Sequence, residues 1–181
     1  MRRWVQGVMA AAALAAVPVQ AQAACWGAED AASARVRDLQ SMLMVAALRC
    51  QAAGFDISGD YNGFVNDNRG AIVAANDALK RRFIRLEGAV AGQAAYDRFT
   101  TRLANAYGAG RSTAADCATA GVIARDARMM ANDRAGLLLV ADHAGLVTDV
   151  EGGACQPVTI AAATPAAPVL LAAAGLSGPR E

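Results

Sequence analysis

The chain has 181 residues, 55% of them hydrophobic but only 5% aromatic, and a formal net charge of +1. That length suits one ordinary domain with its own core. So even a charge balance excludes a broad basic field for nucleic acid and an acidic block for cationic partners.

The N-terminus is patterned for export. Arg2 and Arg3 precede an apolar run from Val8 to Val19, and Ala21-Gln22-Ala23 offers small residues where a signal peptidase reads. The run falls short of the roughly 20 apolar residues that a membrane-spanning helix needs. Residues 1–23 are therefore expected to form a cleaved signal peptide, leaving a periplasmic or secreted chain with no transmembrane anchor. Losing Arg2 and Arg3 takes Lys+Arg from 17 to 15 against 16 Asp+Glu, so the mature chain stays near neutral.

A first helix is predicted over residues 28–53. RVRDLQSMLMVAALRCQ, residues 35–51, spaces apolar and charged positions at the helical period. Gly54 follows as a residue that tolerates the left-handed conformation, with Phe55 behind it to cover the last turn. Asp60 is predicted to cap a second helix, whose stripe is Tyr61, Phe64, Val65, Ile72, Leu79, Phe83 and Leu86. Asn68 and Asn76 fall near that stripe and should be satisfied by neighbouring helices or water. Gly88 and Gly92 mark the next turn. A third helix is predicted over 92–107, with Tyr96, Phe99, Leu103 and Tyr107 on one face. Ser112 or Thr113 caps a fourth, carrying Cys117, Ala120, Ile123, Ala127 and Met130. Asp133 starts a short fifth over 134–144. Short connections favour antiparallel neighbours, so the predicted fold is all-α: an up-down bundle of four main helices plus a short fifth, spanning residues 24–157. Residues 158–181 are rich in Ala and broken by Pro165 and Pro168, which predicts a flexible tail.

Four cysteines in an exported chain imply disulfides, and four allow three pairings. A continuous first helix puts Cys25 and Cys50 roughly 35 Å apart, whereas a disulfide needs Cα atoms within about 7 Å. The first helix ends where the fourth begins, which brings Cys50 to Cys117. Cys25 and Cys155 flank the bundle at its other end. The predicted bridges are Cys50–Cys117 and Cys25–Cys155.

The remaining chemistry is sparse. No two cysteines have the close spacing of a zinc site, and a catalytic thiol would have one histidine, His143, for a partner. Met42, Met44, Met129 and Met130 read as core filler in preference to copper ligands. Asp142 and His143 are adjacent on a helix and point apart, which disfavours a serine-type triad. Phosphate-loop, dinucleotide and haem-attachment motifs are missing, so neither a metal nor a cofactor is expected. Lys80, Arg81, Arg82 and Arg85 form a basic run with two readings. It either complements a helix C-terminal dipole on a solvated face or offers a site for an anion or a membrane surface.

Three stretches carry a resemblance: residues 34–44 (ARVRDLQSMLM), residues 60–65 (DYNGFV), and YDRF at 96–99 with LANAYGAG at 103–110. Together with the four cysteines they resemble small exported, disulfide-containing bacterial helical proteins, over roughly residues 24–157. Some of those are automatically labelled S-adenosyl-L-homocysteine hydrolase, a chemistry that uses a Rossmann-bound NAD whose fingerprint this chain lacks. The resemblance implies fold and compartment, with no catalytic residues to carry over.

The expected function is that of a non-enzymatic periplasmic binding or envelope-accessory protein. Its partner would be an envelope protein or a small ligand. The candidate contact residues are Tyr61, Asn62 and Asn66 at the start of helix two, and Asn105 and Tyr107 on helix three. The alternative is an envelope-acting hydrolase using Asp142, His143 or a tyrosine for proton transfer.

Overall fold

The computed structural model describes residues 25–155; the expected signal peptide and the expected tail lie outside them. The described chain is all-helical, with α1 (Ala28–Ala52), α2 (Ser58–Asp67), α3 (Arg69–Glu87), α4 (Ala89–Tyr107), α5 (Ala114–Met129) and α6 (Arg134–His143).

Helix α1 is the axis of the bundle and packs against all five others. Its buried residues therefore run around the helix, from Ala34, Val36 and Leu39 to Ser33, Asp38 and Ser41. The helix ends in a Schellman motif. Gly54 lies at φ +87°, its N–H reaches the Gln51 carbonyl, and the Phe55 N–H reaches that of Cys50 at 2.8 Å.

The second predicted helix is two helices, and its start moves. Helix α2 begins at Ser58, whose backbone N–H is held by the Asp56 carboxylate at 2.8 Å. Asp60 lies inside the helix and pairs with Arg125 at 2.5 Å, so it is not the cap. The break comes at Asn68, which is completely buried. Its amide N–H₂ donates to the carbonyls of Phe64 and Ala127, and its carbonyl accepts from the Asn132 N–H. One side chain thus ties α2 to the α5–α6 turn, where Ala131 and Asn132 both take positive φ. The polar demand of that turn overrides an apolar period that resumes at Ile72 beyond Asn68. Leu86 leaves the predicted stripe and is 51% exposed.

Helices α3 and α4 form a tight hairpin about Gly88, at φ +83°. Gly92 lies within α4 instead of in the turn. A Cβ there would come within 2.6 Å of the Phe83 carbonyl, so glycine is what lets the two helix ends meet. Helix α5 opens with a capping box between Thr113 and Asp116, and Asp133 caps α6 through the Ala135 N–H. Cross-contacts fix the directions. Arg82 near the end of α3 reaches Asp30 at the start of α1, Cys117 at the start of α5 meets Cys50 at the end of α1, and Arg134 at the start of α6 meets Glu29. Helices α2, α3 and α5 run down against an upward α1, α4 and α6, as an up-down bundle requires.

Two apolar clusters fill the interior. One gathers Leu39, Leu43, Phe64, Ile72, Ala124 and Leu137; the other gathers Trp26, Leu79, Tyr96, Phe99 and Leu103. Trp26 stacks near Phe83 and Phe99, and the Arg82 guanidinium lies 4.0 Å from its ring. The chain after α6 returns to this end, where Trp26 and Ala154 bridge. The disulfides are Cys25–Cys155 and Cys50–Cys117, with Cα separations of 4.9 and 5.6 Å. These are the pairs expected from helix length and direction.

Candidate functional site

A cleft of about 410 Å³ lies at the Cys50–Cys117 end, between the end of α4 and the first half of α5. Helix α1 supplies its floor through Met42, Ala46 and Cys50, and α5 supplies Ala120 and Ile123. The polar rim is Arg49, Tyr107, Ser112, Asp116 and Thr119. An apolar floor under a few polar groups suits a small amphipathic molecule.

Two rim residues are held in place by their neighbours. The Arg49 guanidinium donates to the Tyr107 carbonyl at 2.6 Å, which fixes the end of α4 over α1. The Tyr107 hydroxyl donates to Asp38 at 2.7 Å, and the Thr148 hydroxyl donates to the other oxygen of that carboxylate at 2.8 Å. Asp38 is only 2% exposed, yet none of the ion pairs among the described residues includes it. Burial raises the Tyr107 phenol well above the ordinary tyrosine range, and the hydrogen bond to Asp38 and its negative charge add to that. Tyr107 is thus a proton donor held in its neutral form. Asp116 is pulled below its usual value, chiefly by the hydrogen bond from the Thr113 backbone, and is committed to capping α5.

The structure scatters the other predicted contact residues. Asn62 and Asn66 are exposed on α2, and Asn105 is exposed on α4. Tyr61 is half-buried against Phe64, its phenol raised mainly by burial and lowered in part by Arg37. Helix α2 packs mainly on α5 and α1, whereas α4 packs on α3 and α1, so these residues do not converge. Of the five, Tyr107 alone lines the cleft. Asp38 and Arg49 were not singled out in the sequence. Asp38 offered a signal, a carboxylate one residue before Leu39 in the buried stretch of α1. Thr148, beyond the last helix, offered none.

The hydrolase residues also diverge. Asp142 pairs with Arg35 and lines a groove along the returning segment, which includes Thr148 and Val150. His143 is exposed and lines a separate apolar groove between α5 and α6, beside Asp126 and Met129. Met42 lies in the cleft and Met129 in that second groove, so the methionines do not form one ligand set. Among the described residues, no three His, Cys, Asp or Glu side chains come together as metal ligands. No helix among them is long and apolar enough to cross a membrane. Comparison of the chain with protein-family models, with curated proteins and with solved structures gives no match.

Proposed function

We propose that this chain is an exported, non-enzymatic binding module of the bacterial envelope that takes a small amphipathic ligand in the cleft between α4 and α5. The observation that carries this reading is the cleft itself: an apolar floor on α1, with Arg49 and Tyr107 fixed at its rim by hydrogen bonds. Such a site orients a molecule with an apolar body and an anionic or hydrogen-bond-accepting head. Two disulfides joining distant parts of the chain support an oxidising compartment. The pattern of residues 1–23 and the likeness to small exported helical proteins point the same way. In this reading residues 1–23 are removed, residues 24–157 form the binding domain, and residues 158–181 are an appended tail.

The test uses an apolar anionic fluorophore, 1-anilinonaphthalene-8-sulfonate, titrated into the oxidised protein. Saturable binding at one site is expected, lost in Ala46→Trp, which fills the floor, and weakened in Arg49→Gln. Circular dichroism confirms that both variants keep the bundle. Absent binding, or binding indifferent to Ala46→Trp, contradicts the cleft as the ligand site.

A further inference from the structure

The tip of the α3–α4 hairpin has a surface that the cleft does not use. Residues 84–91 are all exposed, an unbroken run of eight across the end of one helix and the start of the next. Arg82, Phe83 and Arg85 reach Cys25, Trp26 and Asp30 where α1 begins. The rest of the tip, from Leu86 to Ala91, follows these contacts at that end of the bundle axis. Yet it is apolar: Ile84 is 40%, Leu86 51% and Val90 87% exposed. Three large apolar side chains within seven residues of open hairpin are costly to leave in water.

Cations flank them. Residues 80–98 carry five cations (Lys80, Arg81, Arg82, Arg85 and Arg98) against two carboxylates, Glu87 and Asp97, in a chain otherwise near neutral. Arg82 turns inward; Arg81, Arg85 and Arg98 are exposed. Arg85–Asp30 at 3.4 Å and Arg98–Glu87 at 3.8 Å are long ion pairs with exposed guanidinium groups, so they compete weakly with an external anion. A capping role for the basic run accounts for charge at the end of α3. It does not account for Val90 and Arg98 on the next helix.

We propose that the α3–α4 hairpin tip is a docking surface for an anionic lipid bilayer, with Ile84, Leu86 and Val90 entering the interface and the arginines meeting lipid phosphates. Apolar insertion combined with basic flanks is the physical pattern of interfacial membrane binding. Close packing at Gly92 keeps the two helix ends together, so the wedge is preformed. This inference does not depend on a ligand in the cleft.

Flotation of the oxidised full chain with vesicles tests it. Phosphatidylglycerol/phosphatidylethanolamine vesicles are expected to carry the protein, phosphatidylcholine vesicles are not, and added salt releases it. Val90→Asp lowers partitioning roughly tenfold or more, by removing a buried valine. That variant keeps its fold, because an acidic residue in the first turn of α4 suits the helix dipole. Arg81→Gln costs about fivefold, near the value of one basic residue at an anionic surface. Leu139→Asp, on the exposed face of α6, leaves partitioning unchanged. Failure to float with anionic vesicles, or flotation that survives Val90→Asp, overturns the proposal. So does flotation lost in Leu139→Asp but not in Val90→Asp.

Discussion

Asp38 and Tyr107 form a hydrogen-bonded pair behind the cleft rim, with the Asp38 carboxylate buried. A buried carboxylate satisfied by two hydroxyls depends on both staying protonated. The sign of the pH effect follows from the raised phenol. In the folded chain Tyr107 holds its proton above the ordinary tyrosine value of 10.0, whereas the unfolded chain loses it there. Unfolding then releases a proton, so stability is fully present below pH about 10 and falls as pH rises towards the folded value. Tyr61 and Tyr96 are raised too, mainly by burial, and add to the same trend. Thermal melts should show a midpoint that is constant near neutrality and drops above pH about 10. Tyr107→Phe should be less stable at neutral pH, by roughly 1–3 kcal/mol for an acceptor left short, and should show a shallower alkaline fall. An identical alkaline slope in both proteins would show that the hydroxyl is not so coupled.

At the scale of elements, the division between what the sequence revealed and what it hid lies at Asn68. Helix α1 was legible because its period is long and Gly54 marks its end; helices α5 and α6 were legible because Thr113 and Asp133 are capping residues in the right places. The α2–α3 break was not, because the apolar stripe resumes beyond it and no proline marks it; Gly70, just past the break, lies within α3 and not in a turn. The cause is tertiary: Asn68 bonds to Ala127 and Asn132, about 60 residues away in the chain. Asn68→Ala leaves buried backbone groups without partners and should lower unfolding free energy by roughly 2–4 kcal/mol in urea. The loss should come with faster proteolysis at the α5–α6 turn. A loss below about 1 kcal/mol would mean that a continuous α2–α3 helix forms readily in the variant. The cleft was hidden for a similar reason. Its floor is ordinary core of α1, and its rim combines residues that only the return of α4 and α5 brings together.

For the whole molecule, disulfides take over part of the work of a core that is poor in aromatics. Chain-entropy reasoning gives each bridge on the order of 4–5 kcal/mol, for sequence separations of 67 and 130. The pairing was readable in advance because helix length excludes Cys25–Cys50 and alternating direction selects Cys117 as the partner. The cleft proposed for a ligand was not readable, since five polar candidates contributed one residue to it. Fold and staples thus follow from periodicity and length, and the cleft follows from packing. The central claim, an exported and doubly stapled bundle, is tested most directly by intact mass spectrometry of the unreduced protein isolated from the periplasm, with peptide mapping of its bridges. The account predicts a chain beginning at Ala24, four hydrogens lighter than its reduced form, with Cys25 joined to Cys155 and Cys50 to Cys117. A retained leader, free thiols, or Cys25 joined to Cys50 would contradict it.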